Sequence, residues 1–307
     1  MGVLNITPNS FSDGGKYNQK ESCFSKAGDL LSQGVSYLDC GAESTAPFNE
    51  SCGPEEECKR FEEVLFPALK RLSKGLNHQS FFETGTLSID TYRPETFHFV
   101  SSFVRSNWPN LRLLWNDVSG VLDDESLYIL KSFPRCDYVY CHNLAPQRDK
   151  TQDHKKYFYN DSDLEDRFMG HLHDYFNHGL DFFNKAGLAH RVFLDPCFGF
   201  SKTMIQNKVL LNNLVGLISR FPSKVKWLIG VSRKSFLQDS VKNHRKGPQD
   251  WDVVESLHCG LLSLWFQKLW DYTLIVRVHE PHVFHGALQA SAFFSIGKEE
   301  FRPPKEI

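Results

Sequence analysis

Polar and ionisable side chains follow almost every short apolar run of this 307-residue chain. Each of these groups can bind an anion, donate or accept a hydrogen bond, or transfer a proton. They are Asn5, Asp90, Asn116, Asp117, His142, Asp195, Lys202, Arg233, Lys234, Ser235, Arg277 and His279. Because they recur at the same point of successive runs, we expect them to meet at a single site.

These residues divide into two chemical groups. Arg277, His279 and Asn5 suit a polyphosphate, because arginine binds phosphate oxygens in a bidentate manner and the other two donate hydrogen bonds. The second group suits a flat heterocycle, since carboxylates accept from ring N–H and amino groups while amides and ammonium groups donate to ring nitrogens and carbonyls. It consists of Asp90, Asn116, Asp195 and Lys234. The sequence therefore predicts a phosphorylated heterocycle as the ligand.

Taken singly, some of these residues also have a purely structural explanation. Asp90 could cap the helix that follows Pro94, and Asp195 could begin a turn with Pro196. His279 could be a partly buried core histidine. The ligand-binding interpretation depends on the joint pattern, because a structural explanation would have to hold independently at almost every run.

The apolar runs alternate with helix-like stretches. The predicted strands are Gly2–Ile6, Ser36–Cys40, Thr86–Ile89, Arg112–Trp115, Asp137–Cys141, Arg191–Leu194, Lys226–Val231 and Tyr272–Val278. Asn18, with Glu21 three residues later, predicts the cap of a first helix that Gly34 ends. Pro54 predicts the start of a second helix, with Glu55, Glu56 and Glu57 in its first turn. Later helices are predicted over Glu95–Val104, Asp124–Ser132, Leu164–Lys185, Met204–Arg220, Val253–Trp270 and His282–Phe294.

About eight β/α units in this length predict an α/β protein of the (β/α)₈ TIM-barrel class, with a doubly wound open sheet as the alternative. We expect a single barrel domain over residues 1–297 and a charged tail over residues 298–307. The polar stretch between Ala145 and Ser162 has the character of an insertion. In such a barrel, catalytic groups lie at the carboxyl ends of the strands, where the polar residues stand.

The composition excludes several classes of protein. A formal charge of −2 argues against general nucleic-acid binding. No apolar run approaches the ~20 residues that span a membrane, and the N-terminus lacks the pattern of a signal peptide. The eight cysteines have no C-x-x-C spacing, which favours buried, reduced thiols of a cytoplasmic protein over disulfides or metal ligands.

Seven stretches together resemble the signatures of the dihydropteroate synthase family. In chain order they are MGVLNITPNSFSDGG, AESTAP, SIDTYRP, NDVSG, LDPCFGFSK, GVSRKSF and IVRVHE, and they extend over almost the whole chain. The resemblance implies a (β/α)₈ barrel enzyme of folate biosynthesis, commonly a homodimer. The family condenses 7,8-dihydropterin-6-ylmethyl diphosphate with p-aminobenzoate to give 7,8-dihydropteroate and diphosphate, with Mg²⁺.

The resemblance also implies a role for individual residues. Asp90, Asn116, Asp195 and Lys234 would bind the pterin. Asn5, Arg277 and His279 would bind the diphosphate, with Asn5 also a ligand of Mg²⁺. The remaining substrate contacts would come from Ser235, Thr45, Pro47, Phe200 and Gly230. The first loop would close over the diphosphate and exclude water, with Phe11 as a wall of the aminobenzoate site and Asp13 as a partner of the metal or of the cationic intermediate.

The chain departs from the family pattern at several positions. Ala46 stands where the second loop usually has an arginine, which removes a positive charge near the anionic second substrate. Cys197 and Ser201 each stand where a glycine is usual, and Cys141 lies where methionines are frequent.

Three interpretations follow from these departures. The first is a working synthase. The second is a homologue that binds pterin but has lost or altered the second substrate, and acts as a binding or regulatory protein. The third, a pterin-dependent methyltransferase, is disfavoured by the retained SRKS and RVH stretches, because a methyl donor brings no diphosphate.

Overall fold

The barrel is closed by contacts between its first and last strands. The computed structural model describes residues 1–7, 15–43, 52–160, 165–247 and 250–294. Its parallel strands pair in chain order: β1 Gly2–Asn5, β2 Tyr37–Gly41, β3 Thr86–Asp90, β4 Arg112–Asp117, β5 Cys136–Cys141, β6 Val192–Asp195, β7 Lys226–Ile229 and β8 Leu274–Val276. The amide of Val3 donates to the carbonyl of Val278 at 3.1 Å, and the amide of Val278 donates to that of Met1 at 2.9 Å. The predicted (β/α)₈ TIM barrel is confirmed, with each strand within two residues of its predicted bounds.

Helices surround the barrel. They are α1 Gly15–Ser32, α2 Pro54–Arg60, α3 Phe66–Leu72, α4 Gln79–Thr84, α5 Pro94–Asn107, α6 Asp124–Ser132, α7 Glu165–Lys185, α8 Met204–Ser219, α9 Ser235–Ser240, α10 Asp252–Leu269 and α11 Pro281–Phe294. A π-helical turn joins α2 to α3, and a 3₁₀ segment, Arg148–Lys156, lies between β5 and α7. Over the described ranges, no helix is long and apolar enough to cross a bilayer.

Two of the predicted helix-end signals are confirmed, and one is wrong. Pro54 occupies the first turn of α2, as predicted, with the three glutamates beside it. Gly34 has φ of +79° and its amide donates to the carbonyl of Leu31 at 3.0 Å, so it ends the turn after α1. The predicted cap at Asn18 is wrong, because α1 begins at Gly15. An asparagine inside a helix costs at most about 0.7 kcal/mol relative to alanine, which is too little to end a helix that begins before it.

Apolar side chains fill the inside of the barrel below its mouth. Five strands each contribute one residue to this cluster: Leu114, Val139, Phe193, Leu228 and Ile275. Side chains alternate in direction along a strand, so the residue two positions later points inward again, one layer nearer the carboxyl ends. These later residues are Asn116, Cys141, Asp195, Gly230 and Arg277. The apolar floor therefore fixes which polar groups face the mouth.

Candidate active site

The carboxyl ends of the strands surround a cavity of about 460 Å³. Its volume lies in the range of small-molecule sites. The predicted site residues that line it are Asn5, Asp90, Asn116, Asp195, Phe200, Gly230, Lys234, Ser235 and Arg277. His279 is not in this lining. Phe11, Asp13, Thr45 and Pro47, together with Ala46, lie outside the described residues.

Strand register brings several of these residues into one layer. Asn5 is paired with Gly41, Gly41 with Asp90, and Asp90 with Asn116, across the first four strands. On the other side of the barrel, Cys141 is paired with Asp195. Residues that are far apart in sequence are thus neighbours because their strands are parallel and in register.

Arg277 is bound to two carboxylates at the centre of the site. Its Nε donates to Asp39 Oδ2 at 2.6 Å, and its Nη2 donates to Asp90 Oδ2 at 2.9 Å. Asp39 is fully buried, and its Oδ1 also accepts from Ser88 Oγ at 2.6 Å. The sequence analysis missed Asp39, although an acidic residue within an apolar strand was a signal for it. The two carboxylates raise the pKa of Arg277 and fix its orientation.

The predicted carboxylates Asp90 and Asp195 both have a pKa that is raised toward neutrality. Burial raises the pKa of Asp90 to about 7, and the nearby charge of Asp39 adds to that increase. Burial raises the pKa of Asp195 to about 6, although the amide of Cys197 donates to its Oδ1 at 2.7 Å. Desolvation is the leading cause in both cases, because the charged carboxylate is the form that loses most by leaving water.

Lys234 and Asn116 complete the polar end of the cavity. Burial lowers the pKa of Lys234 to about 8, and the positive charge of Arg277 lowers it further. The ammonium lies 5.2 Å from the centre of the Phe200 ring. Asn116 Oδ1 is buried and has no hydrogen-bond partner among the described residues. An unsatisfied buried acceptor at a cavity wall can bind an N–H group of a ligand.

His279 stands beside the cavity in surroundings that favour its neutral form. Its Nδ1 lies 2.9 Å from Ser232 Oγ. Burial lowers its pKa to about 2, and the positive charges of Arg277, Arg233 and Lys234 contribute to that decrease. A neutral imidazole whose Nδ1 accepts from Ser232 carries its hydrogen on Nε2, so it can still donate a hydrogen bond.

Three other candidates do not line the cavity. Lys202 Nζ lies 2.8 Å from Nδ1 of the fully buried His142, and neither lines the cavity. Asp117 is fully buried, and its Oδ2 accepts from Arg148 Nη1 at 2.6 Å. Lys202 and Asp117 are bound to other protein groups and hold the loops of the rim, whereas Nε2 of the buried His142 has no hydrogen-bond partner among the described residues.

Arg93 forms hydrogen bonds with both Glu43 and Cys52, which stand on either side of positions 44–51. Its Nη1 donates to Glu43 Oε2 at 2.8 Å and to Glu57 Oε2 at 2.9 Å. Its Nη2 donates to the carbonyl of Cys52 at 2.5 Å, and the amide of Cys52 donates to Glu43 Oε1 at 2.7 Å. Glu43 lines the cavity. The sequence analysis missed this cluster, because an Arg and two Glu residues separated by up to 50 positions carry no local signature.

Cys141 and Cys197 form a disulfide, which contradicts the expectation that the thiols are reduced. They lie at the ends of β5 and β6, within an apolar cluster with Tyr92, Val118 and Phe200. Cys197 lines the cavity and has φ of +52°, in the left-handed region that favours glycine. The sequence spacing gave no sign of this pair, because strand pairing rather than sequence distance brings the two sulfurs together.

Comparisons with known proteins agree with this arrangement. The profile of the family described as "Pterin binding enzyme" matches residues 1–263. The chain is 28% identical to the mitochondrial folate synthesis bifunctional protein of Arabidopsis thaliana, over 94% of this chain and 47% of that protein. It is 30% identical to dihydropteroate synthase of Synechocystis, over 77% of this chain and 72% of that enzyme. The chain thus spans about half the length of the bifunctional relatives.

A solved structure shares the fold over most of both chains. Dihydropteroate synthase of Clostridium difficile, crystallised in the presence of pteroic acid, superposes with a TM-score of 0.69 at 25% identity, over 96% of this chain and 95% of that one. The family profile extends from the first strand into the helix α10, so it includes most of the strands that supply the cavity. This chain therefore belongs to the pterin-binding enzyme family, together with the dihydropteroate synthases.

Proposed function

We propose that this chain catalyses the dihydropteroate synthase reaction. It condenses 7,8-dihydropterin-6-ylmethyl diphosphate with p-aminobenzoate and releases 7,8-dihydropteroate and diphosphate. The observation that carries the proposal is a single cavity in which carboxylate, amide, ammonium and guanidinium groups from the strand ends converge. Relatives of similar length are dihydropteroate synthases, which supports the same activity.

The pterin binds at the deep, polar end of the cavity. Asp195 accepts hydrogen bonds from the ring N–H and amino groups, and the unpaired Asn116 Oδ1 accepts another. Lys234 donates to a ring acceptor. Gly230 lies beside Arg277 and lacks a side chain, which leaves space there for the ring.

The diphosphate binds where Arg277 and His279 stand. Arg277 is oriented by Asp39 and Asp90, and its Nη1 makes no hydrogen bond to another described residue. That nitrogen can donate to a phosphate oxygen while the guanidinium keeps both carboxylate partners. His279 donates from Nε2, and Ser232 holds its tautomer. Together they stabilise the negative charge that develops on the leaving group.

Mg²⁺ fits the chemistry of the donors at the end of β1. Asn5 and Thr7 line the cavity and offer amide and hydroxyl oxygens, which are the hard ligands that Mg²⁺ accepts together with phosphate oxygens. Among the described residues, the one cluster of potential His, Cys, Asp or Glu ligands is Cys141, Asp195 and Cys197, and the disulfide sulfurs of its two cysteines do not suit Mg²⁺. When bound, Mg²⁺ would supply positive charge to the diphosphate, and Asn5 would be its protein ligand.

Bond cleavage precedes attack by the arylamine. The C–O bond to the diphosphate breaks with both electrons on oxygen, and the positive charge on the methylene carbon is delocalised into the pterin ring. The arylamine nitrogen then forms the new C–N bond and loses one proton. Phe200 and Ser235 also line the cavity, and this second substrate would bind beside them with Thr45, Pro47 and Phe11. Asp13 would stabilise the cation or the metal.

A turnover assay tests the proposed function. The protein is incubated with the pterin diphosphate and p-aminobenzoate, with and without Mg²⁺, and dihydropteroate formation is measured. We expect Mg²⁺-dependent product, and loss of it in Asp195→Asn. Pterin binding without product would instead identify a pterin-binding protein that is not a synthase. A homodimer and a cytoplasmic location stay predictions from the sequence, to be tested by light scattering and by localisation of the tagged protein.

A further inference from the structure

A disulfide joins the ends of two strands beside the carboxylate of Asp195. Cys141 is the last residue of β5, and it is bonded to Cys197, which lies two residues beyond the end of β6. Asp195 is paired with Cys141 in the strand register, and its Oδ1 accepts from the amide of Cys197 at 2.7 Å. The carboxylate assigned to the pterin is therefore attached to one bonded cysteine and adjacent to the other.

The loop after β6 has a backbone conformation that is unfavourable for its sequence. Cys197 has φ of +52° and Ser201 has φ of +48°, in the left-handed region that costs energy for any residue with a Cβ atom. Glycine, which the family usually has at both positions, adopts this region without that cost. In this chain, other interactions must hold the loop in its conformation.

Side-chain bonds to the end of β5 hold both of these residues. The hydroxyl of Ser201 accepts from the amide of Leu144 at 2.9 Å and donates to Asn143 Oδ1 at 3.0 Å. Cys197 is held by its covalent bond to Cys141. The hydrogen bonds of Ser201 form in any folded molecule, whereas the disulfide exists only in the oxidised protein. The conformation of Cys197 therefore depends on the redox state.

We propose that the Cys141–Cys197 pair is a redox switch of pterin binding, in which the disulfide holds the loop in the conformation that binds pterin and reduction releases it. This inference rests on the proposed function, since the switch acts on the pterin site of that function. In the dithiol form, Cys197 can leave the left-handed region, and its amide then no longer orients Asp195 Oδ1. The apparent affinity falls because only a fraction of the molecules has the competent loop.

The reductant is a dithiol in solution. One of its thiolates attacks the sulfur of Cys197, the S–S bond breaks, and the electron pair of that bond stays on the sulfur of Cys141. The second thiol of the reductant then displaces Cys197. The reductant becomes a disulfide, and its two protons pass to the two cysteines. Cys197 lines the cavity whereas Cys141 is fully buried, so the attack on Cys197 comes from the cavity.

Calorimetry with 6-hydroxymethylpterin on the oxidised and the dithiothreitol-reduced protein tests the proposal. Alkylation followed by mass spectrometry counts the thiols in each sample, and circular dichroism checks that both are folded. We expect Kd to rise about five- to thirtyfold on reduction, the equilibrium factor for the cost of a left-handed residue other than glycine, and to return on reoxidation. An unchanged Kd after two further thiols have appeared overturns the proposal, as does an oxidised sample in which both cysteines are thiols.

Two double variants separate the effect of the bond from that of the backbone conformation. Cys141→Ser/Cys197→Ser cannot form the bond and should bind pterin as weakly as the reduced wild-type protein. Cys141→Ser/Cys197→Gly also lacks the bond, but glycine adopts the left-handed region freely, so this variant should recover most of the affinity. Equal affinities of the two variants would contradict the proposal.

Cys136→Ser is the matched control. Cys136 is a buried cysteine without a disulfide at the other end of β5, and it does not line the cavity. Its pterin affinity should respond to dithiothreitol as that of the wild-type protein does. A control that has lost this response would show that another cysteine carries the effect, and would overturn the assignment to Cys141 and Cys197.

Failure of the proposed function gives a different result. If neither redox form binds 6-hydroxymethylpterin, the pterin site is contradicted, and this inference with it. Equal and measurable binding by the two forms contradicts the inference alone. Linkage supplies a second measurement, because pterin must favour the disulfide form by the same factor by which the disulfide favours pterin. A redox titration whose midpoint does not move when pterin is added would also overturn the switch.

Discussion

The guanidinium of Arg277 donates to the carboxylate of Asp90 across 2.9 Å. Arg277 was assigned to the diphosphate and Asp90 to the pterin, so the two halves of the proposed site share an ion pair. Asp39 extends it by binding Arg277 Nε at 2.6 Å. A change in either half will therefore affect the other, and variants must be chosen to separate them.

Arg277→Lys should separate diphosphate binding from pterin binding. Lysine keeps the charge near Asp39 and Asp90 but cannot donate to both carboxylates and a phosphate in one plane. We expect the affinity for the pterin diphosphate to fall by about ten- to a hundredfold, the effect of losing about 1.5–3 kcal/mol from a charged hydrogen bond. The affinity for 6-hydroxymethylpterin should fall much less. Calorimetry with both ligands measures this, and equal losses would show that Arg277 does not act on the diphosphate.

Pterin affinity should depend on pH through Asp195 and Lys234. The pKa of Asp195 is raised to about 6 in the free protein, and the ligand binds its ionised form, so affinity should increase as pH rises from 5 to 7. Below pH 6 the decrease approaches tenfold per pH unit. The pKa of Lys234 is lowered to about 8, so affinity should fall again above pH 8. In Asp195→Asn the acidic limb contributed by this residue should disappear, and a limb of unchanged size would contradict the assignment.

Reduction of the disulfide should destabilise the protein. Cys141 and Cys197 are separated by 56 positions, and closing a loop of that length stabilises a fold by about 4 kcal/mol in the chain-entropy account. We expect dithiothreitol to lower the free energy of urea unfolding by up to about that amount. The double variant Cys141→Ser/Cys197→Ser should not respond to dithiothreitol. If dithiothreitol leaves the free energy of unfolding of the wild-type protein unchanged, the bond does not form in solution.

Arg93→Ala should be far more destabilising than an exposed counterpart. It leaves the fully buried side chain of Glu57 without its cation, and breaking a buried pair costs about 3–5 kcal/mol. Arg71→Ala removes a similar arginine from its pair with Glu21, where both side chains are about half exposed, and should cost less than about 1 kcal/mol. Urea denaturation of the two variants measures the difference. Equal costs would mean that the Arg93 cluster is not coupled to the stability of the fold.

Ala46→Arg should restore a charge that the family usually has. The resemblance places this position near the anionic second substrate, and a charged contact there is worth about 1.5–3 kcal/mol. We expect kcat/KM for p-aminobenzoate to rise about ten- to a hundredfold, with pterin affinity nearly unchanged. Steady-state kinetics on the variant and the wild-type protein test this, and an inactive parent that stays inactive would indicate a different second substrate.

The sequence predicted the fold well because strand positions follow from apolar runs. The eight strands differ from their predicted bounds by at most two residues, as at β8, which ends at Val276 rather than at Val278. Asp90, Asn116 and Asp195 were predicted to meet, and they do, because the carboxyl ends of parallel strands lie at the same end of the barrel. The position of each strand end follows from a local apolar run, so it can be read from the sequence.

Long-range partners were not predictable in the same way. The disulfide forms because the register that pairs Cys141 with Asp195 places Cys197 two residues beyond it. The neutrality of His279 follows from burial beside Arg277, which depends on the complete barrel. Arg93, which follows β3, forms ion pairs with Glu43, which follows β2, and with Glu57, which lies in α2. Such contacts depend on tertiary packing, so composition and spacing do not reveal them.

The carboxylates Asp39, Asp90 and Asp195 create a trade-off between stability and function. Folding transfers them from water into one crowded volume, where Arg277 and Lys234 compensate part of their charge. An amide substitution at Asp195, whose carboxylate has no ion pair with another described residue, therefore relieves folding of a penalty while removing a ligand contact. A screen of variants for melting temperature alone would favour such replacements. It would recover proteins that are thermally stable but bind the ligand poorly. Directed evolution of this chain needs selection for ligand binding alongside selection for thermal tolerance.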